Sequence, residues 1–87
     1  MADTPFHYEL ITPRGQASAG DALYVELPGE DGRLGVLAGH QPAIVGLAAG
    51  TLLLRHTPDR TTPWTIGRGV AAITPGGISI LTRDAEV

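Results

Sequence analysis

Val70-Ala71-Ala72-Ile73-Thr74-Pro75-Gly76-Gly77-Ile78-Ser79-Ile80-Leu81 is a pair of short apolar runs folded about Thr74-Pro75-Gly76-Gly77. Proline presets φ at one turn position and glycine supplies conformations that other residues resist, so the segment reads as a β-hairpin. The same pattern recurs upstream. Thr61 to Ile66 follows the hairpin-like Thr57-Pro58-Asp59-Arg60, and Thr51 to His56 follows a turn at Ala49-Gly50. Phe6 to Ile11 alternates with Phe6, Tyr8 and Leu10 on one face and ends at Thr12-Pro13-Arg14-Gly15. Ala22 to Leu27 repeats this with Leu23, Val25 and Leu27 inward and Tyr24 and Glu26 outward, until Pro28-Gly29 stops it. Leu34 to Leu37 is a short strand in which Gly35 suggests a bulge or a close approach. Ala43 to Ala48 fits a strand or a helical turn equally, because periodicity cannot arbitrate over so few residues.

No segment carries a capped helical stripe. Short strands with turns about every eight to twelve residues predict an all-β domain, a small β-sandwich or flattened barrel of about ten short strands. The length allows one domain, spanning 1–87, with the polar residues 82–87 expected to fray.

Composition narrows the function. Twelve glycines and seven prolines in 87 residues punctuate turns, and 43% hydrophobic residues suffice for a modest core. A net charge of −3 provides no basic field for nucleic acid or anionic lipid. The absence of cysteine excludes disulfide staples. Met1 to Pro5 has neither a basic nor an apolar leader region, so no signal peptide is expected, and the apolar runs are too short to span a bilayer.

Catalytic chemistry is not visible. No nucleophile stands beside a base, and His7, His40 and His56 lack metal-ligand spacing, so no metal site is expected. Gly67-Arg68-Gly69 is too short for a phosphate loop and leads into a strand rather than a helix. A small hydrolase using His40 with Asp31 or Asp21 would need a nucleophile that the spacing does not offer. A free-standing β-sandwich binding module, gripping a partner through Leu34 to Pro42, is the alternative to the reading below.

Leu27-Pro28-Gly29-Glu30-Asp31-Gly32-Arg33-Leu34-Gly35-Val36-Leu37-Ala38-Gly39-His40-Gln41-Pro42 packs two glycine-bounded turns, an apolar run and a Gly-His-x-Pro corner together. It resembles the block Pro-Gly-x-x-Gly-x-x-Gly-Val-Leu-Pro-Gly-His-Ala-Pro of the ε subunit of rotary F-type ATP synthase. Tyr8 to Pro13 is similar to that family's opening strand, and Ala19-Gly20-Asp21-Ala22 to its Ser-Gly-Glu-Val. Leu47 to Arg55 resembles Leu-x-x-Gly-x-Leu-x-x-Arg, and Gly67, Gly69 and Ile73-Thr74-Pro75 its Gly-Gly-Phe-x-x-Val-Thr-Pro. Four positions depart: Arg68 interrupts the Gly-Gly pair, Val70 stands for an aromatic, Ala38 for a proline, and Arg33 for a residue that is often acidic. The chain also reaches Asp84-Ala85-Glu86-Val87, where family members commonly continue into a two-helix hairpin.

The resemblance implies a non-catalytic subunit of the central stalk that clamps γ to the membrane c-ring during proton- or sodium-driven ATP synthesis. It implies no cofactor, no nucleic acid partner and no direct membrane insertion. The protein would lie at the cytoplasmic face of a bacterial inner or plasma membrane, peripheral through a hetero-oligomeric complex. A short form would lack the inhibitory carboxyl-terminal arm. By position, Thr12, Arg14, Glu30, Asp31 and Arg33 would face the c-ring, and Gly39, His40, Gln41, Pro42 and Val45 would face γ. The glycines of the block are expected to serve as backbone devices, and His40 either caps a turn through a backbone carbonyl or touches γ.

Overall fold

The hairpin that opens the sequence argument is the middle of the sheet. In the computed structural model, which describes residues 4–87, β8 (Gly69–Thr74) pairs antiparallel with β9 (Gly77–Thr82), Ile73 opposite Ile78 and Ala71 opposite Ile80. Residues 1–3 of the expected domain lie outside the described residues.

Eight further strands surround this pair: β1 (Phe6–Thr12), β2 (Gly15–Ala22), β3 (Tyr24–Gly29), β4 (Gly32–Val36), β5 (Ala43–Leu47), β6 (Gly50–Thr57), β7 (Arg60–Ile66) and β10 (Ala85–Glu86). They run in the order β10-β7-β6-β3-β5-β8-β9-β1-β2, with β4 attached to β3. All pairs are antiparallel except β1 with β9. β3 pairs with β6 over Tyr24 to Glu26 and with β5 at Gly29, so it links the two halves. The result is the expected all-β sandwich, folded over itself into a nearly closed flattened barrel. No described helix is long and apolar enough to cross a membrane.

Alternation decides what is buried. Phe6, Tyr8 and Leu10 from β1, Val25 and Leu27 from β3, Leu52 and Leu54 from β6, Ala71 and Ile73 from β8, and Ile78 and Ile80 from β9 face one core. Val36, Leu47 and Ile66 close it, and Trp64 packs against its edge. The phenol of Tyr8 reaches Ser18 Oγ at 2.8 Å, so the one hydroxyl on this inner face of β1 is satisfied.

Three local readings are resolved. The ambiguous Ala43 segment is a strand, because β5 pairs with β8 along its whole length from Ala43↔Ile73 to Leu47↔Gly69. Gly35 marks a close approach and no bulge: the β3–β4 register is continuous, and a Cβ there would lie 2.6 Å from the Tyr24 hydroxyl. Leu23, expected inward, is only half-buried; it precedes β3 and donates its N–H to Arg55 O at 2.7 Å. The polar residues 82–87 also have places in the sheet. Thr82 is buried and its hydroxyl donates to Asp84 O at 3.0 Å, while Ala85 pairs with Ile66 and Glu86 with Thr65. A frayed tail is therefore not what these residues form: backbone pairing to β7 holds them despite their polarity.

Candidate partner-docking site

Register fixes which turns share an end of the sandwich. Gly29 pairs with Leu47, Leu47 with Gly69, Gly69 with Thr82, and Leu81 with Ile11. The β3–β4 turn at Glu30-Asp31 and the β1–β2 turn at Pro13-Arg14 therefore lie at one end. Ala43 pairs with Ile73, Ile73 with Ile78, and Gly77 with His7, so the Gly39–Pro42 loop before β5 lies at the other end, with the Thr74–Gly77 turn.

At the first end each expected contact residue has a definite setting. The Thr12 hydroxyl accepts from Arg14 N at 3.2 Å and donates to Gly15 O at 3.3 Å, which shapes the β1–β2 turn and leaves Arg14 exposed. Gly32 has φ 128° and Gly29 comes so close that a Cβ would lie 2.6 Å from Gly32 O, so Glu30-Asp31 protrudes on a tight two-residue loop. Glu30 N donates to Gly46 O at 3.0 Å, and its carboxylate lies back over Gly46. Asp31 is exposed.

Arg33 is engaged within the sheet. Its Nε stands 3.2 Å from Glu26 Oε2, and its Nη2 donates to Thr51 O at 2.8 Å. The guanidinium therefore ties β4 across β3 to β6. Cross-strand pairing of Pro28 with Arg33 and of Glu26 with Gly35 places both side chains on the outer face.

At the second end Gly39 adopts φ 79°, and His40 N donates to Leu37 O at 3.2 Å, closing the corner. His40 Nδ1 lies 2.7 Å from Gln41 O, which assigns the proton to that nitrogen. The turn-capping bond to a backbone carbonyl is thus present. Gln41 and Pro42 are exposed. Val45 is not with them. It lies within β5, packs against the core beside Leu34, and shares a cleft with Glu30, Asp31 and Arg33.

Two features of the surface escaped the sequence reading. Ile44 is 75% exposed, Leu81 48% and Val70 44%, on the outer face of β5, β8 and β9. Their signal was present: the β8–β9 hairpin is apolar at successive positions, the pattern of strands covered on both faces. The second is Ser79 Oγ donating to Glu9 Oε2 at 2.7 Å on that face, which only the parallel β1–β9 register reveals.

None of this assembles a reaction centre. Among the described residues no group of three or more His, Cys, Asp and Glu side chains is placed to hold a metal ion. His40 and Asp31 occupy opposite ends, while Asp21 stands 3.9 Å from His7. The arrangement can present turns and an apolar face to other molecules.

Known proteins share this chain's sequence and shape. Residues 5–87 match the model of the family described as ATP synthase, Delta/Epsilon chain, beta-sandwich domain. The ATP synthase epsilon chain of Rhodopseudomonas palustris (strain TIE-1) is 33% identical over 80 residues, covering 92% of this chain and 58% of that one. The epsilon chain of Rickettsia bellii (strain OSU 85-389) is 38% identical over 89 residues, covering 98% and 80%. The chain thus spans less than two thirds of the first relative's length. A chain of the Euglena gracilis mitochondrial ATP synthase (OSCP/F1/c-ring, rotational state 1) superposes with a TM-score of 0.88 at 23% identity, over 94% of this chain and 52% of that one. One of the Tetrahymena thermophila mitochondrial ATP synthase central stalk/c-ring gives 0.78 at 13%, over 99% and 69%. At these identities the two structures speak for the fold. Tight turns, sheet order and a sequence match over nearly the whole length agree, and the chain belongs to the delta/epsilon β-sandwich domain family of ATP synthase.

Proposed function

We propose that this chain is a non-catalytic rotor subunit that couples the γ subunit to the c-ring of an F-type ATP synthase. The observation that carries this reading, beside family membership, is the separation of two built docking elements by register. The Thr12, Arg14, Glu30 and Asp31 turns stand at one end, for the ring, and the Gly39–Pro42 corner stands at the other, for γ. A close-packed sandwich between them deforms little under load, so torque at one end reaches the other.

Exposed Glu30 and Asp31 supply the charge for the ring contact. Such pairs contribute only about 0–1 kcal/mol each and mainly set register. Arg33 acts from behind, since Glu26 and Thr51 O hold it and so brace the strand that carries the turn. Val45, in the cleft beside this turn, supports the same end. Specific docking of this kind buries upward of about 1,000 Å² in total.

The sandwich is proposed to couple without braking hydrolysis, because its described residues hold no helical arm to extend along γ. It would work at the cytoplasmic face of a bacterial membrane, peripheral through the complex. The test is reconstitution of an ε-depleted complex with these 87 residues. The expected outcome is restored ATP-driven ion pumping with the hydrolysis rate not suppressed. Pumping that stays lost although the chain is bound would refute coupling. A pull-down that recovers neither γ nor the c-ring would favour the free-standing binding module.

A further inference from the structure

At the end that carries the β1–β2 turn, a groove with an almost wholly apolar floor runs across β8, β9 and β1. Val70 pairs with Leu81 and Leu81 with Ile11, and Pro13 extends the row. Arg68 and Arg83 form the rim, held side by side by the bond from Arg83 N to Arg68 O at 3.1 Å. Neither guanidinium has an ion-pair or hydrogen-bond partner among the described residues, whereas Arg33 and Arg55 each fold onto a backbone carbonyl. The carboxylate of Asp84 lies over Gly67, outside ion-pairing distance of both.

We propose that this groove takes an acidic segment of the stalk partner, with an apolar side chain seated on Val70, Leu81 and Ile11 and carboxylates against Arg68 and Arg83. The inference rests on the coupling reading above and adds a recognition element to it. Its basis is complementarity of charge and polarity: two fixed cations above an apolar floor match a segment that alternates acid and hydrophobe. A protein segment fits better than an anionic membrane. Neighbouring strands lie about 4.8 Å apart, so a floor three strands wide admits a single segment. A planar anionic surface would also meet Glu30 and Asp31 at the same end and a chain of net charge −3. Arg68 stands where the family pattern has glycine, so this cation distinguishes the chain from its relatives.

The experiment measures affinity of the whole protein for the γ subunit of the same organism at low and high salt. An Arg68→Gly/Arg83→Ser variant is expected to bind about tenfold more weakly at low salt, two rim charges being removed, and its salt dependence to flatten. Leu81→Asp is expected to weaken binding at both salt concentrations. All three positions are exposed, so thermal melting should shift little, which separates recognition from folding. Wild-type binding matched by the double variant at every salt concentration would overturn the proposal. So would an effect of the same substitutions confined to phosphatidylglycerol vesicles, which would make the occupant a lipid, or confined to self-association, which would make it a second copy. Wild type that binds neither γ nor the c-ring would overturn the coupling reading and the named occupant with it. Wild type that binds while the variants are unaffected would overturn the groove alone.

Discussion

Gly69 and Gly35 show how one added methyl group separates two kinds of crowding. At Gly69 a Cβ would run into the carbonyl oxygen of Leu81, a backbone atom fixed by the β8–β9 ladder. At Gly35 it would meet the hydroxyl end of Tyr24, which can swing away. Gly69→Ala is therefore expected to cost about 1–3 kcal/mol, the range for overpacking a fixed site, and Gly35→Ala clearly less. Urea unfolding of both variants checks the order, and equal losses would contradict it. Arg33→Ala should cost under about 1 kcal/mol, because its pair with Glu26 is partly exposed and screened. Here the sequence was only half legible. It placed Arg33 in the turn correctly. It gave no view of Glu26 or Thr51, because those partners depend on strand register and on β6 returning beside β3.

The elements that sequence reading found are those with apolar alternation, and β2 shows why one escaped. Gln16-Ala17-Ser18-Ala19-Gly20 contains no large hydrophobe, so nothing in its pattern marks a strand. What holds it is the backbone ladder to β1 and small residues that admit the Tyr8 ring, whose Cε2 would lie 3.6 Å from a Cβ on Gly20. Ser18 faces that phenol. Tyr8→Phe should thus lose about 0.5–1.5 kcal/mol through one hydrogen bond, with the ring still packed. A much larger loss by chemical denaturation would mean that the hydroxyl organises β2 itself. β10 escaped for a related reason. Its pairing with β7 is made by backbone, and two polar-flanked residues carry no hydrophobic signal.

At the scale of the whole molecule, one core serves all the strands, and a domain of this size has little stability in reserve. Leu52 is fully buried, so Leu52→Ala should cost about 2–5 kcal/mol and leave much of the protein unfolded near physiological temperature. Leu37→Ala, at a site 39% exposed, should be nearly neutral. Differential scanning calorimetry of the pair tests whether a single cooperative core exists. The same unity underlies the functional account, since a rigid body is what allows its two ends to address two different partners. The chain has no cysteine, so single cysteines can be placed without background. Crosslinking from Asp31→Cys and from Gln41→Cys, each in the assembled complex, is the most direct measurement of that claim. The account predicts that Asp31→Cys links to the c-ring and Gln41→Cys to γ; both linking to the same subunit would contradict it.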